Sequence, residues 1–293
     1  MVGGERAVRD RLLPYLLIIP ATVAIAVLVL YPIALTLILS FEKVTLTGVV
    51  VSYVGFGNFW TMFHDPIFWQ VLRNSAYYTA VFVTIEIVLA LGIALLLNQR
   101  VKGTRVATTL MLAPWVMPYV AVAYVWEWIF NNPYGIFNGI LVNVGILSSG
   151  MTWLGMTSTA LDAVIMATIW KLVPFMAIIF FAGLQSVRGD LYESAKVDGA
   201  GVWVRFRAVT FPGIRNLFVL MVFLATVWSF GHWDLPFLMT AGGPLYSSTN
   251  LALYSYQQAL QEFNIGYGAA ISTFLFLILS VFAVVYVSRS RIR

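Results

Sequence analysis

The chain has 293 residues, of which 61% are hydrophobic and only 10% charged, and its mean hydropathy is +0.89. Soluble domains carry roughly 25% charged residues, so this composition excludes a water-soluble globular protein. The absence of cysteine excludes a disulfide framework and a thiolate metal site. The apolar runs are continuous and do not alternate with polar residues, which indicates transmembrane helices and not the strands of a barrel.

Six apolar runs are long enough to cross a bilayer as helices. We therefore predict an all-α membrane protein whose single transmembrane domain covers 12–287, between end segments 1–11 and 288–293. The predicted spans are 12–41, 75–97, 106–129, 161–184, 217–240 and 268–287.

The basic residues predict the orientation, because Lys and Arg are enriched in cytoplasmic loops. With six spans, fourteen of the seventeen basic residues fall on one side. They lie in both end segments, in the loop after the second span and in the loop 185–216 between the fourth and fifth spans. Both termini and this loop are therefore predicted to be cytoplasmic. The net charge of +5 follows from the same bias, so nucleic-acid binding is not predicted.

The loop 185–216 has the pattern of two short helices separated by glycines. Asp190 is a candidate N-cap, and Gly199 and Gly201 are expected to end the first helix. A second helical turn over 202–209 is expected to stop before Pro212. A docking element for a partner protein and a helix-turn-helix that packs on its own bundle both fit this pattern, and the residues alone leave the two alternatives open.

This loop also contains a pattern that resembles the EAA motif of permease subunits in binding-protein-dependent ABC importers. The matching residues are Glu193, Ser194, Ala195, Gly199, Val209, Phe211 and Pro212. The departures from the motif are Ser194, Val209 and Phe211, which are mild in size and polarity. Further matching segments extend the resemblance over nearly the whole chain, at 53–59, 114–118, 173–176, 182–186, 238–244 and 266–272. Within this family the chain is similar to the carbohydrate-uptake branch, and to the MalF/UgpA/LacF-like subunit more than to the MalG-like one.

The resemblance implies a type I importer fold, in which the loop between the fourth and fifth spans carries a coupling helix that binds a separate ATPase. The residues expected to make that contact are Glu193, Ser194, Ala195, Asp198, Gly199, Arg205 and Pro212. The chain has no GxxxxGK[ST] phosphate loop, so it is expected not to be an enzyme and to have no catalytic residue of its own. The ATPase would bind ATP and Mg, and the assembled complex would hydrolyse the ATP. No cofactor and no metal is expected in this chain.

The expected partners also follow from the resemblance. They are a second homologous permease subunit, two ATPase subunits, an extracytoplasmic solute-binding protein, a sugar substrate and membrane lipid.

Charged side chains at bilayer depth are functional candidates because they are costly there. Lys171 is predicted either to pair with Asp234 or Glu86, which would be structural, or to line a hydrated cavity. For Glu86 structural pairing is favoured. The resemblance places the solute pathway at a set of aromatic and polar residues, Trp115, Tyr119, Trp170, Lys171, Ser229 and His232, to which Asp234 is added for its charge. Aromatic rings can cover the C–H face of a sugar while polar groups bind its hydroxyls; helix packing is the alternative for each ring.

We therefore predict a permease subunit in the cell inner membrane that forms half of the translocation pathway for a carbohydrate. The carbohydrate is expected to be an oligosaccharide, a disaccharide or a sugar-derived polyol. An ion-coupled secondary transporter with Glu86, Lys171 and Asp234 as a relay is the alternative, and the long docking loop disfavours it. An intramembrane enzyme is not supported, because the sequence has neither an HExxH pair nor a GxSxG elbow.

Overall fold

The structure is a computed structural model that describes residues 17–44, 48–99 and 103–290. The described chain is predominantly helical and includes a two-stranded antiparallel sheet, β1 (Glu42–Val44) and β2 (Val50–Tyr53), in which Glu42 faces Tyr53. The helices are α1 Leu17–Leu39, α2 Gly57–His64, α3 Pro66–Leu97, α4 Thr104–Met111, α5 Ala113–Val116, α6 Tyr119–Ile129, α7 Ile136–Asn143, α8 Ala160–Gln185, α9 Gly189–Val197, α10 Val202–Gly231, α11 Asp234–Thr240, α12 Leu251–Tyr256 and α13 Ile265–Ser290. The end segment 1–11 lies outside the described residues.

Five described helices, α1, α3, α8, α10 and α13, are long and apolar enough to cross a membrane. A sixth span exists if α4–α5 and α6 count as one broken helix. The helical membrane fold is thus confirmed, although the helices do not start and end where the apolar runs do. For example, α3 begins at Pro66, well before residue 75, because Asp65 caps it by accepting a hydrogen bond from the Ile67 N–H at 2.8 Å.

The third span is not the continuous helix that the sequence predicted over 106–129. The helix axis bends by 96° between Val106–Val116 and Tyr119–Ile129. Met117 and Pro118 are both extended at this point, with ψ of 137° and 145°. Proline has no N–H to donate and disfavours a helical conformation in the residue before it, so the apolar run is interrupted where its hydropathy shows no change.

The fifth span also differs from the prediction of 217–240. Helix α10 begins at Val202 and ends at Gly231, where His232 becomes extended and α11 starts as a separate helix. The expected stop before Pro212 is wrong. A π-helical turn over Phe206–Thr210 lets the Phe211 N–H bond to the carbonyl of Phe206, five residues back, and the helix continues through Pro212.

The chain divides into two compact units. The single transmembrane domain over 12–287 stays a prediction. One unit comprises Asp65–Tyr254 and Leu277–Arg293, and α8 is its central helix. Two thirds of the apolar part of α8 is buried, against α3, α5, α10 and α11, because this helix is apolar on all sides. The core of this unit includes Phe82, Met176 and Phe180.

The other unit comprises Met1–His64 and Ser255–Phe276. Its polar contacts are made close to β1, where Asn58 Nδ2 donates hydrogen bonds to the carbonyls of Ser40 and Glu42 at 2.9 and 3.1 Å. Ser255 Oγ donates to the carbonyl of Gly268 at 2.8 Å. The two Asn58 bonds satisfy the carbonyl of Ser40, which follows α1, and that of Glu42, the first residue of β1.

Gly266 allows the closest backbone approach in this unit, since a Cβ there would lie 2.1 Å from the carbonyl oxygen of Glu42. We expect Gly266→Ala to destabilise the protein by about 1–3 kcal/mol through overpacking. Gly92→Ala is the matched control on α3, where nothing lies within 4 Å of the added Cβ, and alanine is favoured in a helix interior. Thermal unfolding in detergent measures both, and equal midpoints for the two variants would contradict the prediction.

Candidate coupling surface and solute pathway

Helix α9 lies in the segment that connects α8 to α10, and its C-terminus is closed by a glycine turn. The Gly199 N–H bonds to the Lys196 carbonyl at 3.0 Å, and the Ala200 N–H bonds to the Ala195 carbonyl at 2.9 Å. This is the Schellman pattern, and Gly199 supplies the left-handed residue it needs, with φ of +76°. The end of α9 is therefore fixed by local hydrogen bonds.

The N-terminus of α9 carries an ion pair between Arg188 and Asp190. Arg188, and not the expected Asp190, occupies the cap position, and Asp190 lies in the first turn. The Arg188 guanidinium that donates to the carboxylate lowers the pKa of Asp190 below its ordinary value. Asp190 therefore stays ionised, and its negative charge is favourable near a helix N-terminus.

A single side-chain hydrogen bond fastens α9 to α10. The Tyr192 hydroxyl donates to Thr210 Oγ1 at 3.0 Å, and Thr210 is buried in the π-helical turn of α10. This bond therefore connects α9 to the irregular turn near the start of α10.

The outer side of α9 and the first turn of α10 form a mixed apolar and charged surface that no described residue covers. Val197, Val202 and Trp203 are 87%, 77% and 70% exposed. An open cavity of about 1500 Å³ lies beside them, lined by the last residues of α3 and α8, by α9 and by the first turns of α10. The predicted topology places this loop outside the bilayer, where lipid does not cover such side chains, so their clustering indicates an interaction surface.

Most of the predicted coupling residues lie on this surface, which we call the coupling surface. Glu193, Ser194, Asp198 and Gly199 are exposed, and Ala195 and Arg205 are half-buried. Pro212 is exposed further along α10.

The structure separates two glycines that the sequence does not distinguish. Gly199 has φ of +76°, Gly201 has φ of −66°, and an added Cβ would be unobstructed at both. We expect Gly199→Ala to cost about 1–2 kcal/mol at the end of α9, because an L-residue is strained in the left-handed conformation. Gly201→Ala, at the N-cap of α10, should leave the end of α9 unchanged. Hydrogen exchange of the α9 amides measures the difference, and equal protection in both variants would refute it.

The second group of predicted residues meets where α5 breaks from α6. The ammonium group of Lys171, on α8, donates hydrogen bonds to the carbonyls of Trp115 at 3.0 Å and Met117 at 2.5 Å. It also lies 4.5 Å from the centre of the Tyr119 ring. Among the described residues, Lys171 forms no ion pair within 4.0 Å, so of the two alternatives for Lys171 the structural pairing with Asp234 or Glu86 is not found.

Tyr119 connects this break to the end of α10. Its hydroxyl lies 3.3 Å from Nδ1 of His232, the residue that follows α10. Asp234, the first residue of α11, is close enough to interact electrostatically with Tyr119, Lys171 and His232. Four of the predicted pathway residues therefore lie in one cluster.

Aromatic side chains extend from this cluster. Trp115 stacks on Phe175 with ring centres 4.8 Å apart and planes 11° from parallel, and Phe175 lies 6.0 Å from Trp228. Trp115 and Trp228 are 40% and 36% exposed. Trp170 packs edge-on against Trp126 at 6.0 Å and is also partly exposed. The cluster therefore combines exposed aromatic faces with polar groups.

Two polar residues of the predicted set are placed differently. The Ser229 hydroxyl is buried and donates to Thr79 Oγ1 at 2.9 Å, so it is already satisfied within the protein. Glu86 is buried on α3, and its Oε2 atom has no hydrogen-bond partner among the described residues, so the favoured structural pairing is not found. The described residues contain no group of three or more His, Asp and Glu side chains suited to a metal ion.

Asn250 is a site residue that the sequence analysis missed. Its Nδ2 donates to the carbonyl of His232 at 2.7 Å, and its Oδ1 accepts from the Leu253 N–H at 3.0 Å. An asparagine that ends a polar run just before an apolar helix is a typical N-cap signal, which could have drawn attention to it. Its hydrogen bond to the His232 carbonyl could not have been predicted from the sequence.

Comparison with known proteins identifies the family. Residues 86–293 match the family described as "binding-protein-dependent transport system inner membrane component". The chain belongs to this family. It is a multi-pass inner-membrane permease subunit, and such subunits are not themselves ATPases.

Individual relatives confirm the resemblance to sugar permeases. The chain is 34% identical to the sulfoquinovosyl glycerol transport system permease protein SmoG of Agrobacterium fabrum, over 94% of this chain and 90% of that protein. It is 32% identical to the trehalose/maltose transport system permease protein MalF of Thermococcus litoralis, over 97% and 96%. Its fold matches a chain in the crystal structure of a bacterial alginate ABC transporter in complex with an alginate pentasaccharide-bound periplasmic protein, with a TM-score of 0.85, 20% identity and coverage of 98% and 96%.

Proposed function

We propose that this permease forms half of the translocation pathway for a carbohydrate that an external binding protein delivers. Relatives named for the transport of sulfoquinovosyl glycerol and of trehalose or maltose support this substrate class. The observation that carries the proposal is the cluster at the α5–α6 break, where exposed aromatic faces lie beside polar side chains. Such a combination suits sugars, whose C–H faces and hydroxyls need different partners.

The coupling surface would bind a separate ATPase on the cytoplasmic side, with Glu193, Ser194 and Asp198 at the contact and Gly199 shaping the end of α9. This assignment implies that both termini are cytoplasmic, as the distribution of basic residues predicts. ATP and Mg would be held by that ATPase. A second homologous permease and two ATPase subunits would complete the complex, and the assembled complex would hydrolyse ATP.

Transport in this proposal is a change between two conformations and involves no chemistry in this chain. Closure of the ATPases would push on α9, and the Tyr192–Thr210 bond would carry that displacement into α10. The other end of α10 leads to His232, which contacts Tyr119 on the solute pathway. The ion-coupled alternative has no support, since the relatives are permeases of transport systems in this family.

A charge on the coupling surface tests the ATPase contact. Val197 is 87% exposed, so Val197→Asp should leave folding intact but prevent assembly, because the carboxylate would be buried without a partner at the interface. Val144→Asp is the control, at a residue 62% exposed that the predicted topology places on the other side of the membrane. Co-purification with the ATPase measures both. Normal assembly of Val197→Asp would remove the support for this surface.

A truncation on the pathway tests the sugar contact. Trp115→Ala should lower ATP-driven uptake by about tenfold or more, because losing about 1.4 kcal/mol of stacking is a factor of ten in binding. Trp128→Ala is the matched control, since Trp128 is 82% exposed and lies beyond the cluster at the far end of α6. Uptake into proteoliposomes that contain the whole complex and its binding protein, tested over a panel of neutral and acidic saccharides, measures both variants. Equal uptake by the two variants would argue against a pathway at Trp115. If the unmodified complex takes up none of the saccharides, the proposed substrate class is wrong.

A further inference from the structure

The break between α5 and α6 leaves backbone carbonyls that the helix itself cannot satisfy. The last carbonyls of α5 would bond to N–H groups four residues ahead, and the 96° bend takes those groups away. At membrane depth such carbonyls need a partner from protein or from a water-filled cavity, because lipid offers them no donor. The structure supplies that partner from a different helix, since the Lys171 ammonium donates to the carbonyls of both Trp115 and Met117.

The ammonium group of Lys171 is held mainly by contacts with other parts of the protein. A lysine has three N–H donors. Two are directed at carbonyl oxygens, and the charge also faces the Tyr119 ring at 4.5 Å, a distance at which a cation–π interaction is favourable. The side chain is buried, with 3% exposure. Two of the three donors are thus bound to backbone carbonyls, and the low exposure of the side chain keeps the third away from bulk solvent.

We propose that Lys171 is a positioning residue, whose ammonium replaces the backbone donors lost at the α5–α6 break and thereby holds Trp115 and Tyr119 on the solute pathway. The residues on either side of the break support this role. Lys171 binds the carbonyl of Trp115, which stacks on Phe175, and it lies over the ring of Tyr119, which contacts His232. The proposal rests on the proposed function only where it calls these rings part of a solute pathway.

The bend can be measured as a distance between spin labels in the assembled complex. The chain has no native cysteine, so Val106→Cys and Trp128→Cys, both at exposed positions on either side of the break, provide two unique attachment sites once cysteines of the partner subunits are replaced. With 1.5 Å of rise per residue, the two Cα atoms would be roughly 33 Å apart in a straight helix and roughly 22 Å apart at the observed bend.

The labelled pair should give the short distance when residue 171 can donate. Lys171→Arg keeps a charged donor and should retain the short distance and part of the uptake. Lys171→Met has a similar length but no donor, and should shift the distance distribution towards the long value and abolish uptake. Thr168→Val is the control on α8, because it removes a buried hydroxyl one turn away and should leave the short distance unchanged.

A second variant keeps the test decisive if Lys171→Met does not assemble. Lys171→Met combined with Pro118→Ala restores a backbone N–H at the break, so the helix can straighten and satisfy its own carbonyls. This double variant should assemble and give the long distance. A short distance in Lys171→Met or in the double variant overturns the proposal. The proposal is also overturned if neither of these two variants assembles although Lys171→Arg and Thr168→Val both assemble.

The outcome is separable from the proposed function. A complex that imports no saccharide but still shows the donor-dependent distance supports the role of Lys171 and contradicts the solute assignment. Normal saccharide uptake by Lys171→Met, with the short distance retained, supports the solute assignment and contradicts the role of Lys171.

Discussion

The constraint on which the structure depends is that every backbone polar group in a bilayer must have a partner. It is met in different ways where the helical ladder is interrupted. At Pro118 a charged side chain from another helix binds the freed carbonyls. At Pro212 a wider helical turn rearranges the bonds within α10 itself. At Gly199 a local turn closes α9. The candidate solute pathway lies at the first of these interruptions, and the coupling surface lies at the other two.

Prolines of similar sequence context therefore have different structural effects. Pro174 lies inside α8 without ending it, Pro212 lies inside α10 after a π-helical turn, and Pro118 ends one helix and starts another in a new direction. The difference at Pro118 comes from Lys171, which is more than fifty positions away in the sequence. A local pattern contains no information about such a distant donor, which is why the sequence predicted one continuous third span. The early stop predicted at Pro212 failed for a different reason, since the π-helical turn before this proline lets the helix continue.

The correct predictions from the sequence came from averaged hydropathy and from the spacing of residues in a motif. Hydropathy averaged over about twenty residues is enough to count spans, because lipid constrains each span as a whole. The spacing around Glu193 and Gly199 located α9 and its end, since a left-handed residue after a short helix is a local requirement. By contrast, the hydrogen bond of Ser229 to Thr79 and the lack of a partner for Glu86 Oε2 among the described residues could not be predicted, because hydropathy does not indicate which neighbour a polar side chain meets. The convergence of Tyr119, Lys171 and His232 came from the family resemblance and not from the residues alone.

The two candidate surfaces share the same two helices, and this connection gives the proposed transport cycle a physical route. Helix α8 carries Lys171 and ends in the residues that lead into α9, whereas α10 begins at the coupling surface and ends beside His232. A movement of α9 reaches α10 through the Tyr192–Thr210 bond, at the π-helical turn, where the helical ladder is already irregular and costs less to rearrange than a regular α-helix. At the other end, the α5–α6 break is held by side-chain contacts from α8 and from His232, which can re-form in a second arrangement more readily than a continuous helix can bend. Both ends of the route thus lie where the backbone departs from the regular α-helix.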